Sequence, residues 1–188
     1  MQVAIHTTAT DSVFQALTHE WYGHAVEPAF FYRFELTEQG LKFYAGRQAS
    51  ATVHPDAKEG EFHENLWQYD TAEFFIATPD CSRYLEFNLN PTGAWWCRVF
   101  RAPRVADEAF EGFLPAVTAK GKVTPQGWAC EALLPAAALE ELGISPRCCR
   151  LAATAILQTP DQIFLTTGDT SGEPDFHRPS GWKTAVLA

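Results

Sequence analysis

The sequence predicts an all-β chain, a two-sheet antiparallel β-sandwich with one short connecting helix. Three observations carry that expectation. Short segments alternate apolar and polar residues with the period of two that marks half-buried strands. Clusters of Gly, Pro, Asn and Asp separate these segments at short intervals. Only one stretch is punctuated as a helix, whereas an α/β fold would alternate helices with strands. The 188 residues suit one domain with a sizeable core, spanning residues 1–188.

The first clear strand covers residues 29–36, and Gln39-Gly40 turns it into a second at 41–45, which reads as a hairpin. Residues 50–65 are polar, carry Pro55, Asp56 and Gly60, and read as a long surface loop. Residues 70–77 form the next strand, Thr78-Pro79-Asp80 a turn, and residues 83–90 the return strand. In the return strand Leu85, Phe87 and Leu89 share one face, while Tyr84, Glu86, Asn88 and Asn90 share the other. In its partner, Phe74 and Ile76 oppose Glu73 and Phe75. Aligning the apolar faces makes Phe74, Ile76, Leu85, Phe87 and Leu89 core. It also gathers Glu73, Phe75, Glu86 and Asn88 on the opposite face.

Pro91-Thr92-Gly93 turns the chain into a strand at 94–100, followed by a Pro-punctuated loop at 101–114. Residues 118–123 and 127–134 read as short strands. Pro135 and Gly143 bracket a run of helix formers about two turns long, a connector. Residues 150–157 and 162–166 are strand-like, and the tail is loop until a last strand at 183–187.

Composition narrows the function. A formal net charge of −9, with no Lys/Arg cluster, repels nucleic-acid backbones and anionic membrane surfaces. No stretch approaches the roughly 20 apolar residues of a membrane span, and the N-terminal residues lack a signal peptide's pattern. The five cysteines, Cys81, Cys97, Cys130, Cys148 and Cys149, are odd in number and show no metal-ligand spacing, so they read as reduced thiols. The expectation is a cytoplasmic protein with a small-molecule partner, no nucleic acid and no membrane; the oligomeric state stays open. Six Trp and fourteen Phe suit a thick core first and a sugar platform second.

The order of several motifs is informative. Leu66-Trp67, then Glu73-Phe74-Phe75, then Tyr84-Leu85-Glu86-Phe87-Asn88, then Asn90-Pro91-Thr92-Gly93-Ala94-Trp95 resembles the central signature of bacterial DOMON-like proteins. Those in turn resemble family 9 carbohydrate-binding modules. Residues 128–135 and Pro174-Asp175-Phe176-His177 fit the same pattern. The resemblance implies an immunoglobulin-like β-sandwich whose known relatives bind sugars or haem. Haem-binding relatives use an axial Met with a His or a Lys. Here the sole Met is Met1, so that ligation cannot be built and no cofactor is expected. Sugar-binding family 9 modules hold a terminal sugar between two Trp side chains.

Each candidate also has a plainer reading. Glu73, Glu86 and Asn88 could bind sugar hydroxyls or a cation, or act as an acid/base pair, but a solvated sheet face explains them more simply. Tyr84 adds a flat ring and a hydroxyl to that face. Among Trp67, Trp95, Trp96 and Trp182, core packing is the default for any one, although indole also stacks on sugars. Trp95 and Trp96 are adjacent in a strand, and Trp96 shares parity with Arg98, so Trp96 is the outward one. His177 follows a Gly/Ser/Pro-rich loop and is a ligand, a pocket lining or a histidine held by backbone. His54 and His63, with Asp56 and Glu64, are surface residues before they are a metal site. Cys148 and Cys149, between Arg147 and Arg150, could carry a lowered thiol pKa, yet Cys before an apolar strand usually packs as a small hydrophobe. There is no GxSxG, no HExxH and no phosphate-cradling Gly loop.

These residues point to a non-catalytic domain that binds a carbohydrate or sugar-like molecule through Trp67, Tyr84, Glu86, Asn88, Trp96 and His177. A small acid/base enzyme using Glu73, Glu86 or Glu131 stays open, as does a haem or metal carrier using His177. Solvated carboxylates beside Trp and Tyr would favour the binder. Two buried carboxylates on one cavity would favour the enzyme.

Overall fold

The computed structural model describes residues 2–7, 13–158 and 161–188. Its strands are β1 (Val3–His6), β2 (Gln15–His19), β3 (Ala25–Thr37), β4 (Gly40–Arg47), β5 (Thr71–Ala77), β6 (Tyr84–Leu89) and β7 (Trp95–Ala102). They continue with β8 (Val105–Ala106), β9 (Thr118–Thr124), β10 (Gly127–Pro135), β11 (Arg150–Leu157), β12 (Ile163–Thr166) and β13 (Lys183–Leu187). One α-helix, α1 (Ala136–Glu141), connects β10 to β11. Pro135 caps its start and Gly143, at φ +68°, follows its end.

The strands join in one hydrogen-bonded path, β8-β7-β6-β5-β11-β13-β1-β3-β4-β10-β9, with β12 on β11 and β2 on β3. The path curls into a half-barrel, so that its two halves face each other across the core. Phe34 on β3 and Phe43 on β4 meet Phe74 on β5 with ring centroids 5.6 and 5.1 Å apart. Phe74 stacks on Phe87 at 5.0 Å, and Phe87 on Trp95 at 6.0 Å. Phe74, Ile76, Leu85, Phe87 and Leu89 are all buried, as their parity requires.

Two expectations need correction. The sheet is mixed rather than purely antiparallel, because β1 runs parallel to both β13 and β3. It is also one continuous path rather than two separate sheets, since β1 and β13 stitch the halves together. Parallel neighbours need long connections, so no local turn signal announces them. Burial of Val3 and Ile5 in the core holds β1 there instead. Nor did local pattern mark β1, β2 or β8 as strands.

A third correction concerns the far face of β5 and β6. It was expected to be solvated, yet every residue of both strands is buried. The cover is the chain between β12 and β13, whose Phe176 and Trp182 pack with Phe75, Ala77, Tyr84, Phe100 and Ala152 in a small second core.

The Asn90-Pro91-Thr92-Gly93 turn shows why its residues are what they are. Asn90 Oδ1 accepts from the Thr92 backbone N–H at 3.0 Å and from its hydroxyl at 2.9 Å. Gly93 has φ +90°, and a Cβ there would sit 2.6 Å from the backbone nitrogen of Gly121 on β9. Only hydrogen fits.

Candidate functional site

Strand register lays the covered face out in rows. Glu73 on β5 stands opposite Thr154 on β11 and Asn88 on β6, and Asn88 stands opposite Trp96 on β7. In the next row Phe75 faces Ala152 and Glu86, and Glu86 faces Arg98. In the third, Tyr84 faces Ala77 and Phe100. Residues 167–182 cross over part of this face. Trp182 Nε1–H pins them by donating to the Phe176 carbonyl at 3.0 Å, and Trp21 Nε1–H donates to the Gly172 carbonyl at 2.8 Å.

What they leave open is a cavity of about 600 Å³. Its polar lining includes Glu73, Glu86, Arg98, Arg104, Asp175 and His177, and its flat lining includes Trp67, Phe75, Trp96, Phe100, Phe164 and Phe176. Mostly apolar walls with a few convergent polar groups are the usual make-up of a small-molecule site of this size. A wider groove along β4, β10 and β9 has about 820 Å³ but no buried carboxyl pair.

The polar groups are linked. The backbone N–H of Arg104 donates to the Tyr84 oxygen at 3.1 Å. The Tyr84 hydroxyl lies 2.7 Å from His177 Nδ1 and 3.3 Å from the Ala102 carbonyl. His177 Nε2 lies 3.4 Å from Glu86 Oε2. Asn88 Nδ2 donates to Glu86 Oε1 at 3.2 Å, and the Thr154 hydroxyl donates to Glu73 Oε2 at 3.2 Å.

Burial sets the charges. It holds the His177 imidazolium down to about 4, with the Arg104 cation helping and Asp175 opposing, so the ring is neutral near pH 7. Burial likewise pushes the Glu86 carboxyl up to about 7, against the hydrogen bond from Asn88 and the charges of Arg104 and Arg98. Glu73 rises well above the usual carboxylate range, first through burial and then through the nearby Glu86 charge. The face therefore holds Glu73 with a raised proton affinity, Glu86 poised near neutrality and a neutral His177.

Comparison with known proteins addresses the fold. No protein-family model matches the sequence, and no curated protein matches it. Solved structures do. A candidate carbohydrate-binding protein from Bacteroides uniformis superposes with a TM-score of 0.68 at 16% identity, covering 100% of this chain and 98% of that one. A family 9 carbohydrate-binding module from Caldicellulosiruptor kristjanssonii, in complex with cellotriose, gives 0.66 at 10% identity over 100% and 93% of the two chains. A glucose complex of such a module from the same organism gives 0.64 at 11%, over 100% and 96%. The chain has a family 9-like fold. At these identities the likeness shows the fold alone, and function rests on the site.

Within that family 9-like fold, Trp67, Glu86, Trp96 and His177 line the cavity. Tyr84 and Asn88 stand behind it, buttressing His177 and Glu86. Trp67 is 50% exposed on a 3₁₀ turn anchored by buried Leu66. Trp96 faces out while Trp95 is buried, as parity requires. Sequence reasoning did not single out Phe100, Arg104 or Phe164. Phe100 shares the parity of Trp96 and Arg98, so alternation already contained that signal. Arg104 sits in a turn at φ +58° and pairs with Asp175, a contact of 71 residues' separation that no local pattern marks.

Other candidates lie elsewhere. Glu131 pairs with Lys120 at 3.1 Å on β10 and does not join Glu73 and Glu86. The rings of His54 and His63 are 4.1 Å apart, but no cluster of three metal-ligating side chains occurs among the described residues. Burial pushes the Cys149 thiol up to about 12 rather than down. Nδ1 of His177 is engaged by Tyr84, Nε2 lies 3.4 Å from Glu86, and Met1 lies outside the described residues.

Proposed function

We propose that the cavity binds a carbohydrate without transforming it, Trp67 and Trp96 supplying stacking surfaces and Glu86, Arg98 and His177 meeting hydroxyls. One observation carries this reading. Two partly exposed indoles open onto one cavity that also presents convergent polar groups. The family 9 neighbours solved with cellotriose and glucose support it, and the order of motifs extends it toward the DOMON-like proteins.

Calorimetry across mono- and oligosaccharides tests it. At least one sugar should bind in the millimolar-to-micromolar range, roughly −4 to −8 kcal/mol. Trp67→Ala and Trp96→Ala should each weaken it roughly fivefold, for about 1 kcal/mol per stacked ring. No binding across the panel, or affinities indifferent to both variants, would end the proposal.

A second reading follows from the burial of Glu73 and Glu86 on one cavity, the arrangement that favours an acid/base enzyme over a binder with solvated carboxylates. Two carboxyls on one cavity can serve as an acid and a base in glycosidic-bond cleavage. Release of nitrophenol from aryl glycosides, lost in Glu86→Gln, would favour it over simple binding.

A further inference from the structure

The floor of the cavity offers more acceptors than it fills. Glu73 is 2% exposed and receives one hydrogen bond, from Thr154 to Oε2. Asn88 is 1% exposed, shares the row of Glu73 and Trp96, and its Oδ1 has no hydrogen-bond partner. Glu86 takes one amide N–H from Asn88 and faces a neutral imidazole. Among the described residues no Lys or Arg forms an ion pair with either Glu73 or Glu86. Arg104 is tied to Asp175 at 2.7 Å, and Arg98 is exposed at the mouth. Around the cavity stand the four carboxyls of Glu64, Glu73, Glu86 and Asp175, against the two guanidiniums of Arg98 and Arg104. Carboxyls outnumber guanidiniums there, and neither guanidinium pairs with Glu73 or Glu86.

We propose that the carbohydrate bound here is an amino sugar, whose protonated amine settles between Glu73 and Glu86. This deepens the carbohydrate reading above and rests on it. An ammonium brings three N–H donors, and the carboxyls of Glu73 and Glu86 that line the cavity accept only one side-chain hydrogen bond each. It also brings the positive charge that two buried carboxylates need. Phe75, Trp96 and Phe164 line the same space and offer ring faces to a cation. A sugar hydroxyl offers one donor and no charge. An N-acetylated amine offers one donor, no charge and extra bulk.

The exchange balances. A carboxyl that is protonated in the empty site loses its proton to solvent as the ammonium enters, and the new pair is ammonium with carboxylate. The groups facing these carboxyls are Thr154, Asn88, Tyr84, Arg98, Arg104, Asp175 and His177. His177 is already neutral, so the released proton comes from Glu73 or Glu86.

Calorimetry at about pH 6.5, in two buffers of different ionisation enthalpy, compares glucosamine, glucose and N-acetylglucosamine. Glucosamine should bind at least roughly tenfold more tightly than either, because hydrogen bonds to charged groups are the strong ones. Its binding enthalpy should depend on the buffer, showing proton release. Glu73→Gln should bring glucosamine toward N-acetylglucosamine and abolish that release, with thermal unfolding confirming its fold. If that variant does not fold, the wild-type ranking and proton count decide alone. Equal affinity for the three sugars, or binding without proton release, would overturn the amine pocket and leave the carbohydrate reading standing. Silence with all sugars would overturn both.

Discussion

The phenolic oxygen of Tyr84 lies 2.7 Å from Nδ1 of His177, across 93 residues of sequence. This contact ties strand β6 to the segment that covers it. It also orients the imidazole so that Nε2 points at Glu86.

Tyr84→Phe keeps the ring stacked on Phe100, whose centroid is 4.9 Å away, and deletes the hydroxyl. His177 Nδ1 and the Arg104 N–H then lose a partner inside the protein. Unfolding in urea should show a loss of about 1–3 kcal/mol with an unchanged m-value. A loss within experimental error would mean that water replaces the hydroxyl at no cost.

Stability should fall as pH rises through neutrality. Glu73 and Glu86 have folded-state pKa values raised from 4.5, Glu86 to about 7 and Glu73 well above the usual range. The stabilisation of their neutral forms is complete below 4.5 and is lost as pH climbs through the folded values. His177, lowered from 6.5 to about 4, acts in the opposite sense, and its contribution is complete above 6.5. From about pH 6.5 upward the carboxyls therefore govern the difference, Glu86 through about 7 and Glu73 by its upward shift. The thermal midpoint of the wild type should drop across that window more than that of the Glu73→Gln, Glu86→Gln double variant. Parallel curves would mean that the two carboxyls titrate alike in the folded and unfolded chains.

Gly93→Ala should destabilise by more than about 1 kcal/mol, since the turn needs positive φ and the β9 backbone blocks a Cβ. Gly23 has a similar φ of +88° with nothing within 4 Å of a Cβ. Gly23→Ala pays only the backbone strain and should cost less. Equal losses in denaturant titrations of the two would remove the steric contribution of Gly121.

Alternation along residues 70–90 already separated Phe74, Ile76, Leu85, Phe87 and Leu89 from Glu73, Phe75, Glu86 and Asn88, and it turned Trp96 outward and Trp95 inward. It could do so because side-chain direction in a strand depends only on neighbouring residues. The bounds of β11 and β13, and the Pro135-to-Gly143 bracket of α1, were legible for the same reason.

What covers a face is not local. Nothing within β5 or β6 announces that Phe176, His177 and Trp182 will close over their polar side, or that this cover will bury Glu73 and raise its carboxyl pKa. Nor does β1 announce parallel partners, because its neighbours β3 and β13 come from distant parts of the chain. The sequence by itself determined which side chains share a face. The tertiary structure alone decided which faces meet water, since burial and the proton affinities that follow from it depend on contacts made across the whole chain.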